Sequence, residues 1–217
     1  QCAAGLLALW QFAEARPPPP REGARRAPLA EALRRPAFWG LALLLSAHSF
    51  VGVGLAAHLV PLLRERGLDE ASVIWLAALH GPFQVAARGL LFAAGPRAPL
   101  AAVGVFCVTL MPLAIAWLAL APPLFGWVLV FTLGWAVADG LLSIVRAGAP
   151  AEILGREGYG AVTGALALAA APMRAFAPVI VALVWQWSGG YGPAIWMLAA
   201  AGLLAALGFG VALLDRR

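Results

Sequence analysis

Asp139 is the one carboxylate of this chain that stands deep inside an apolar run, in TLGWAVADGLLSIV. An ionisable side chain at bilayer depth costs about 2.5–3.5 kcal/mol even on the mildest scale, so such a residue marks either function or a buried pair. Two chemistries fit it. A carboxyl that alternates between neutral and charged forms can couple a proton or hold a substrate cation. A permanently charged one is the counter-ion of Arg146, two turns on along the same helical face, or of Arg174 in the next apolar run. Arg174 lies between Pro172 and Pro178 and has the matching alternatives, contact with an anionic or hydroxylated substrate or neutralisation of Asp139. His48 and His80 fall near mid-depth of two further runs. Each either relays a proton or packs as a neutral, hydrogen-bonded ring. Gln84, one turn after His80, either bonds a substrate or ties helices together. Asp139, Arg174, His48, His80, Gln84 and Arg146 are therefore the candidate substrate-binding or coupling residues.

Other chemistries lack their residues. No nucleophile–base pair, phosphate loop or zinc spacing occurs, and the sequence predicts neither an enzyme nor a cofactor. Three histidines on separate turns, without clustered cysteines or carboxylates, do not make a metal site. Cys2 and Cys107 are far apart in apolar surroundings and predict no disulfide framework. His58, near the end of its run, calls for no special role.

These residues need elements to hold them, and the composition says which kind. The chain has 217 residues, 63% hydrophobic and only 12% charged, with a mean hydropathy of +0.88. A soluble domain would carry about 25% charged residues. The net charge of +5 is no nucleic-acid signature, because most of the arginines flank apolar runs. Residues 1–12 would extend about 18 Å as helix, too short for a core of about 30 Å, and read as the end of a preceding, truncated span. Residues 13–37 hold six Arg and six Pro, an extended linker with a short amphipathic helix over 28–36.

Six apolar runs follow over 38–217, at about 38–63, 71–94, 99–121, 124–147, 160–187 and 192–214. Pro61 and the RERG turn close the first, and Pro122 and Pro123 divide the third from the fourth. The third and sixth runs contain no ionisable residue and are expected to face lipid. His80, Gln84 and Arg88 form one stripe on the second, and Thr132, Asp139, Ser143 and Arg146 another on the fourth. Tyr159, Thr163 and Arg174 lie close to one line on the fifth. Four runs thus converge on a polar interior, a period of three that implies two three-helix repeats. Gly160–Gly164 and Ala161–Ala165 read as close-packing pairs. Eleven arginines fall on the linker and C-terminal side, against Arg64 and Arg66 on the other, which predicts a cytoplasmic linker and C-terminus in an inner (plasma) membrane.

The pattern resembles the C-terminal six-helix half of the major facilitator superfamily. LVPLLRERGLDEASVIWLAALHGPFQVAARGL (59–90) is similar to the passage from the seventh to the eighth helix of such transporters. GLLSIVRAGAPAEILGREGYGAVTG (140–164) resembles the tenth-to-eleventh helix turn of an arabinose- or drug-efflux-like branch. ARGLLFAAGPRAP (87–99) departs from the superfamily's loop motif in having no acidic residue. The resemblance implies an all-α membrane protein working by alternating access, with a small-molecule substrate near the midplane between two halves. It further implies efflux or exchange coupled to an ion gradient, in the lipid bilayer, with an N-terminal half as partner and no nucleic acid. The alternative is a non-transporting sensor or scaffold that keeps the fold.

Overall fold

The computed structural model describes residues 27–95 and 98–215. Among the described residues the chain is helical throughout, with no strand. The helices are α1 (Ala27–Arg34), α2 (Pro36–Glu65), α3 (Glu70–Ala94), α4 (Leu100–Leu120), α5 (Phe125–Ile153), α6 (Tyr159–Ser188) and α7 (Tyr191–Leu214). Residues 1–12 and the four-proline run lie outside the described residues, as do Arg16, Arg21, Arg25, Arg26, Arg97, Arg216 and Arg217 of the arginine count.

Local chemistry sets most boundaries. Pro36 occupies the first turn of α2, where its missing N–H removes no ladder bond. Asp69 caps α3 by accepting from the Ser72 amide at 3.0 Å. The same Ser72 contacts hold the Asp69 carboxyl below the usual carboxylate range. Gly189 ends α6 in the left-handed region at φ +72°, which a side chain would disfavour.

Two boundaries differ from the sequence reading. Pro61 does not end the first run; α2 continues through it to Glu65. The fourth run does not stop at 147 either, because α5 passes Pro150 and ends at Ile153. Proline deletes one bond of the helical ladder at a cost of about 3 kcal/mol. Here Leu62 and Leu63, and likewise Ala149 and Ile153, are buried against neighbouring helices, and that packing carries the helix past the break.

α2 packs mainly on α7 and α6, α5 mainly on α4 and α3, and α4 joins α7 between the two groups. The α2–α7 contact is backbone to backbone. A Cβ on Gly40 would lie 2.5 Å from the Gly208 carbonyl oxygen, and one on Gly208 would lie 2.6 Å from that of Gly40. At the same end Asp215 accepts from the Ala37 amide at 3.3 Å and from Arg35 Nε at 3.1 Å. The start of α2 and the end of α7 therefore lie on one side of the bundle.

Five helices, α2, α4, α5, α6 and α7, are long and apolar enough to cross a membrane. α3 has the length, 25 residues, but is not among them. Its hydropathy is lowered by His80, Gln84 and Arg88, so of the six expected spans five meet the length and apolarity of a membrane helix and the sixth is the polar-striped one. The two helices without ionisable residues are not merely lipid-facing. α4 and α7 pack on each other and on α5 and α2 respectively, while their other faces, with Phe106, Leu113, Leu203 and Leu207, are exposed.

Candidate functional site

Asp139 sits at the midpoint of the 29-residue α5, about 21 Å from either end by helical rise. Gly140 beside it lets α3 come close, for a Cβ there would meet the Gln84 backbone oxygen at 3.0 Å. That approach brings the His80–Gln84–Arg88 stripe onto the carboxylate. On the other side Gly52 of α2 leaves room for Oδ1, which a Cβ would meet at 3.7 Å, and α2 supplies His48.

The hydrogen bonds form a directed network. His48 Nε2 lies 3.3 Å from Asp139 Oδ1, and the Gln84 amide nitrogen donates to Oδ2. The same amide nitrogen lies 2.8 Å from His80 Nε2. The Gln84 oxygen accepts from Arg88 Nη2 at 3.3 Å, while Arg88 Nε donates to the Gly140 carbonyl at 3.1 Å. Because Arg88 can only donate, it fixes the Gln84 oxygen toward itself and the NH2 toward Asp139 and His80. His80 Nε2 must then accept, which places the proton of the neutral ring on Nδ1. His48 Nε2 stands within ion-pair distance of the carboxylate, with no hydrogen bond between them. His80 Nε2 is itself 3.8 Å from Asp139 Oδ2, so protonation there would turn it into a direct partner of the anion. The Nδ1 atoms of both rings are buried without a hydrogen-bond partner. His80 stacks on Trp135 with centroids 3.8 Å apart, and Trp135 in turn stacks on Phe131 at 5.8 Å.

All six predicted residues line one cavity of about 400 Å³, together with Trp135 and the α2 wall of Ser49, Gly52, Val53 and Ala56. α2, α3, α5 and α6 contribute to it; α4 and α7 do not. The expected ion pairs are absent. Neither Arg146 nor Arg174 comes within 4.0 Å of Asp139, whose partners are His48, His80 and Gln84. The Gln84 amide already donates to Oδ2 and His48 stands beside Oδ1, while Arg146 and Arg174 line the cavity.

Two residues of the site escaped the sequence reading. Arg88 belongs to the recognised stripe and orients Gln84. Trp135 is one turn before Asp139 on the same face, a spacing that could have singled it out. His58 also proves to be a cross-helix link, its Nδ1 2.9 Å from the Tyr191 hydroxyl and its Nε2 2.9 Å from the Pro178 carbonyl. The Gly160–Gly164 pair does not pack a helix contact, since a Cβ on either meets nothing within 4 Å. These glycines instead open a second cavity of about 420 Å³, lined also by Arg146, Tyr159 and Thr163. Among the described residues no group of three His, Cys, Asp or Glu is arranged to hold a metal ion. No family model matches the chain, and neither a curated protein nor a solved structure matches it.

Proposed function

We propose that this chain is a six-span unit of a secondary transporter of the major facilitator type, moving a small molecule by alternating access with an ion, the proton, as coupling partner. The observation that carries the reading is Asp139, a mid-helix carboxylate held by two imidazoles on the wall of a roughly 400 Å³ cavity. A group at that depth in contact with both a proton relay and an open cavity can change charge as the cavity changes access.

Three further features support it. The packing of the helices maps onto itself when α2, α3 and α4 are exchanged with α5, α6 and α7: α2 on α7 becomes α5 on α4, α2 on α6 becomes α5 on α3, and α4 on α7 returns itself. Such a relation is what two three-helix repeats would produce. In that arrangement α3 is a sixth span, its polar stripe covered by α5 and the cavity. Finally, 17% of the apolar window of α6 is buried, against 67% in α2, which leaves the cavity side open to a second six-helix unit.

The test is a pair of assays on full-length protein in proteoliposomes. Asp139→Asn holds the site in a form like the protonated one. It should abolish gradient-driven flux while leaving gradient-free exchange of substrate largely intact. Unchanged gradient-driven flux in the variant removes Asp139 from coupling. Absence of any substrate-dependent flux in the wild type favours the sensor or scaffold.

A further inference from the structure

The Asp139 cavity has a charge balance that the transporter reading does not by itself require. Asp139 contributes one negative charge; its Oδ2 accepts from Gln84 and its Oδ1 lies 3.3 Å from His48 Nε2. Arg146 and Arg174 contribute two positive charges to the same cavity, and neither makes a hydrogen bond or ion pair among the described residues. The histidines add no negative charge in either protonation state. The cavity therefore has a surplus of positive charge and two unused guanidinium forks, set against a single carboxylate that already has neighbours at both oxygens.

We propose that the cavity binds a small organic carboxylate, with the carboxylate group between Arg146 and Arg174 and an apolar body against the α2 wall of Gly52, Val53 and Ala56. The assignment rests on the reading of this cavity as a transport site. Guanidinium groups present paired N–H donors that match the two oxygens of a carboxylate, and removal from bulk water strengthens the pairing. Trp135 is stacked on His80, and Gly52, Val53 and Ala56 form the apolar wall. About 400 Å³ lies within the range of small-molecule sites. Arg146 also lines the second cavity, between α5 and α6, so one guanidinium faces both spaces. Tyr159 and Thr163 line that second cavity.

The experiment measures equilibrium binding to full-length protein in lipid nanodiscs, with labelled benzoate as probe and no gradient. Acetate and succinate are run as further carboxylates, and benzylamine and benzyl alcohol as matched cationic and neutral competitors. Benzoate should bind saturably and be displaced by a carboxylate but not by benzylamine. Arg174→Gln should weaken binding at least tenfold, with Arg174→Lys in between because an ammonium keeps the charge and loses the fork. Neither guanidinium holds the fold by a bond, so the thermal midpoint of these variants should stay near wild type, and Arg146→Gln provides a second, independent variant. The proposal is overturned if none of the three carboxylates binds, if benzylamine binds more tightly than benzoate, or if both glutamine variants bind benzoate like wild type. Saturable, Arg174-dependent benzoate binding without flux in proteoliposomes would uphold this site and retire the transporter reading. Gradient-driven flux of a cation without carboxylate binding would do the opposite.

Discussion

At the scale of single residues the site depends on Gln84, because one amide satisfies three partners at once. Its oxygen receives Arg88, and its nitrogen serves Asp139 and His80. Gln84→Leu keeps the bulk and strands all three, and each stranded polar group costs about 1–3 kcal/mol. The expected outcome is a loss of stability in that range or above by reversible unfolding in mixed micelles, larger than for Arg88→Gln, which removes only the outermost member. An equal or smaller loss for Gln84→Leu would mean that the network is slack. The residues of this site were legible in sequence because an intramembrane polar side chain is rare and its helical spacing gives its face. Their pairing was not. Charge and the spacing along α5 make Arg146 or Arg174 one of the two expected partners of Asp139, whereas the contact follows the close approach of α3 that Gly140 allows. Sequence spacing along α5 carries no information about the distance to α3.

At the scale of elements, the run boundaries followed from prolines, glycines and charges, and failed where packing overrode a local signal. Pro61 and Pro150 are the cases, each flanked by residues buried against another helix. Small residues show the same limit. Gly40 and Gly208 bring two helix backbones together, while Gly160 and Gly164, the more obvious pair on paper, line an open cavity. A direct comparison on α7 tests this. Gly208→Val forces backbone against backbone and should destabilise by about 1–3 kcal/mol or more, the usual cost of overpacking. Gly210→Val, two residues on, meets nothing within 4 Å and should be near neutral. Unfolding midpoints of the two variants in the same detergent check the contrast, and equal midpoints would remove the α2–α7 contact from the account of stability.

At the scale of the whole molecule the open question is which way the bundle sits in the membrane. Taken as six antiparallel passes, the helices put the α3–α4 and α5–α6 connections on the side where α2 starts and α7 ends, and the Arg35–Asp215 contact ties those two ends together. The α2–α3 turn, with Arg64, Arg66 and Asp69, lies on the opposite side. Arg66 is less available to steer insertion than a free charge, because it donates to the carbonyls of Leu118 and Ala121 and so closes the end of α4. Arg64 is likewise paired, with Glu70. The side with two arginines is thus weaker still than the bare count, which strengthens the expectation that it is the translocated one. In a full-length background with Cys2 and Cys107 replaced by Ala, Ala71→Cys should react with a membrane-impermeant thiol reagent in intact cells, and Arg156→Cys should react only after permeabilisation. The reverse labelling would invert the bundle. Labelling of both from outside would mean that α3, the polar-striped helix, does not cross, and the six-span architecture would fall with it.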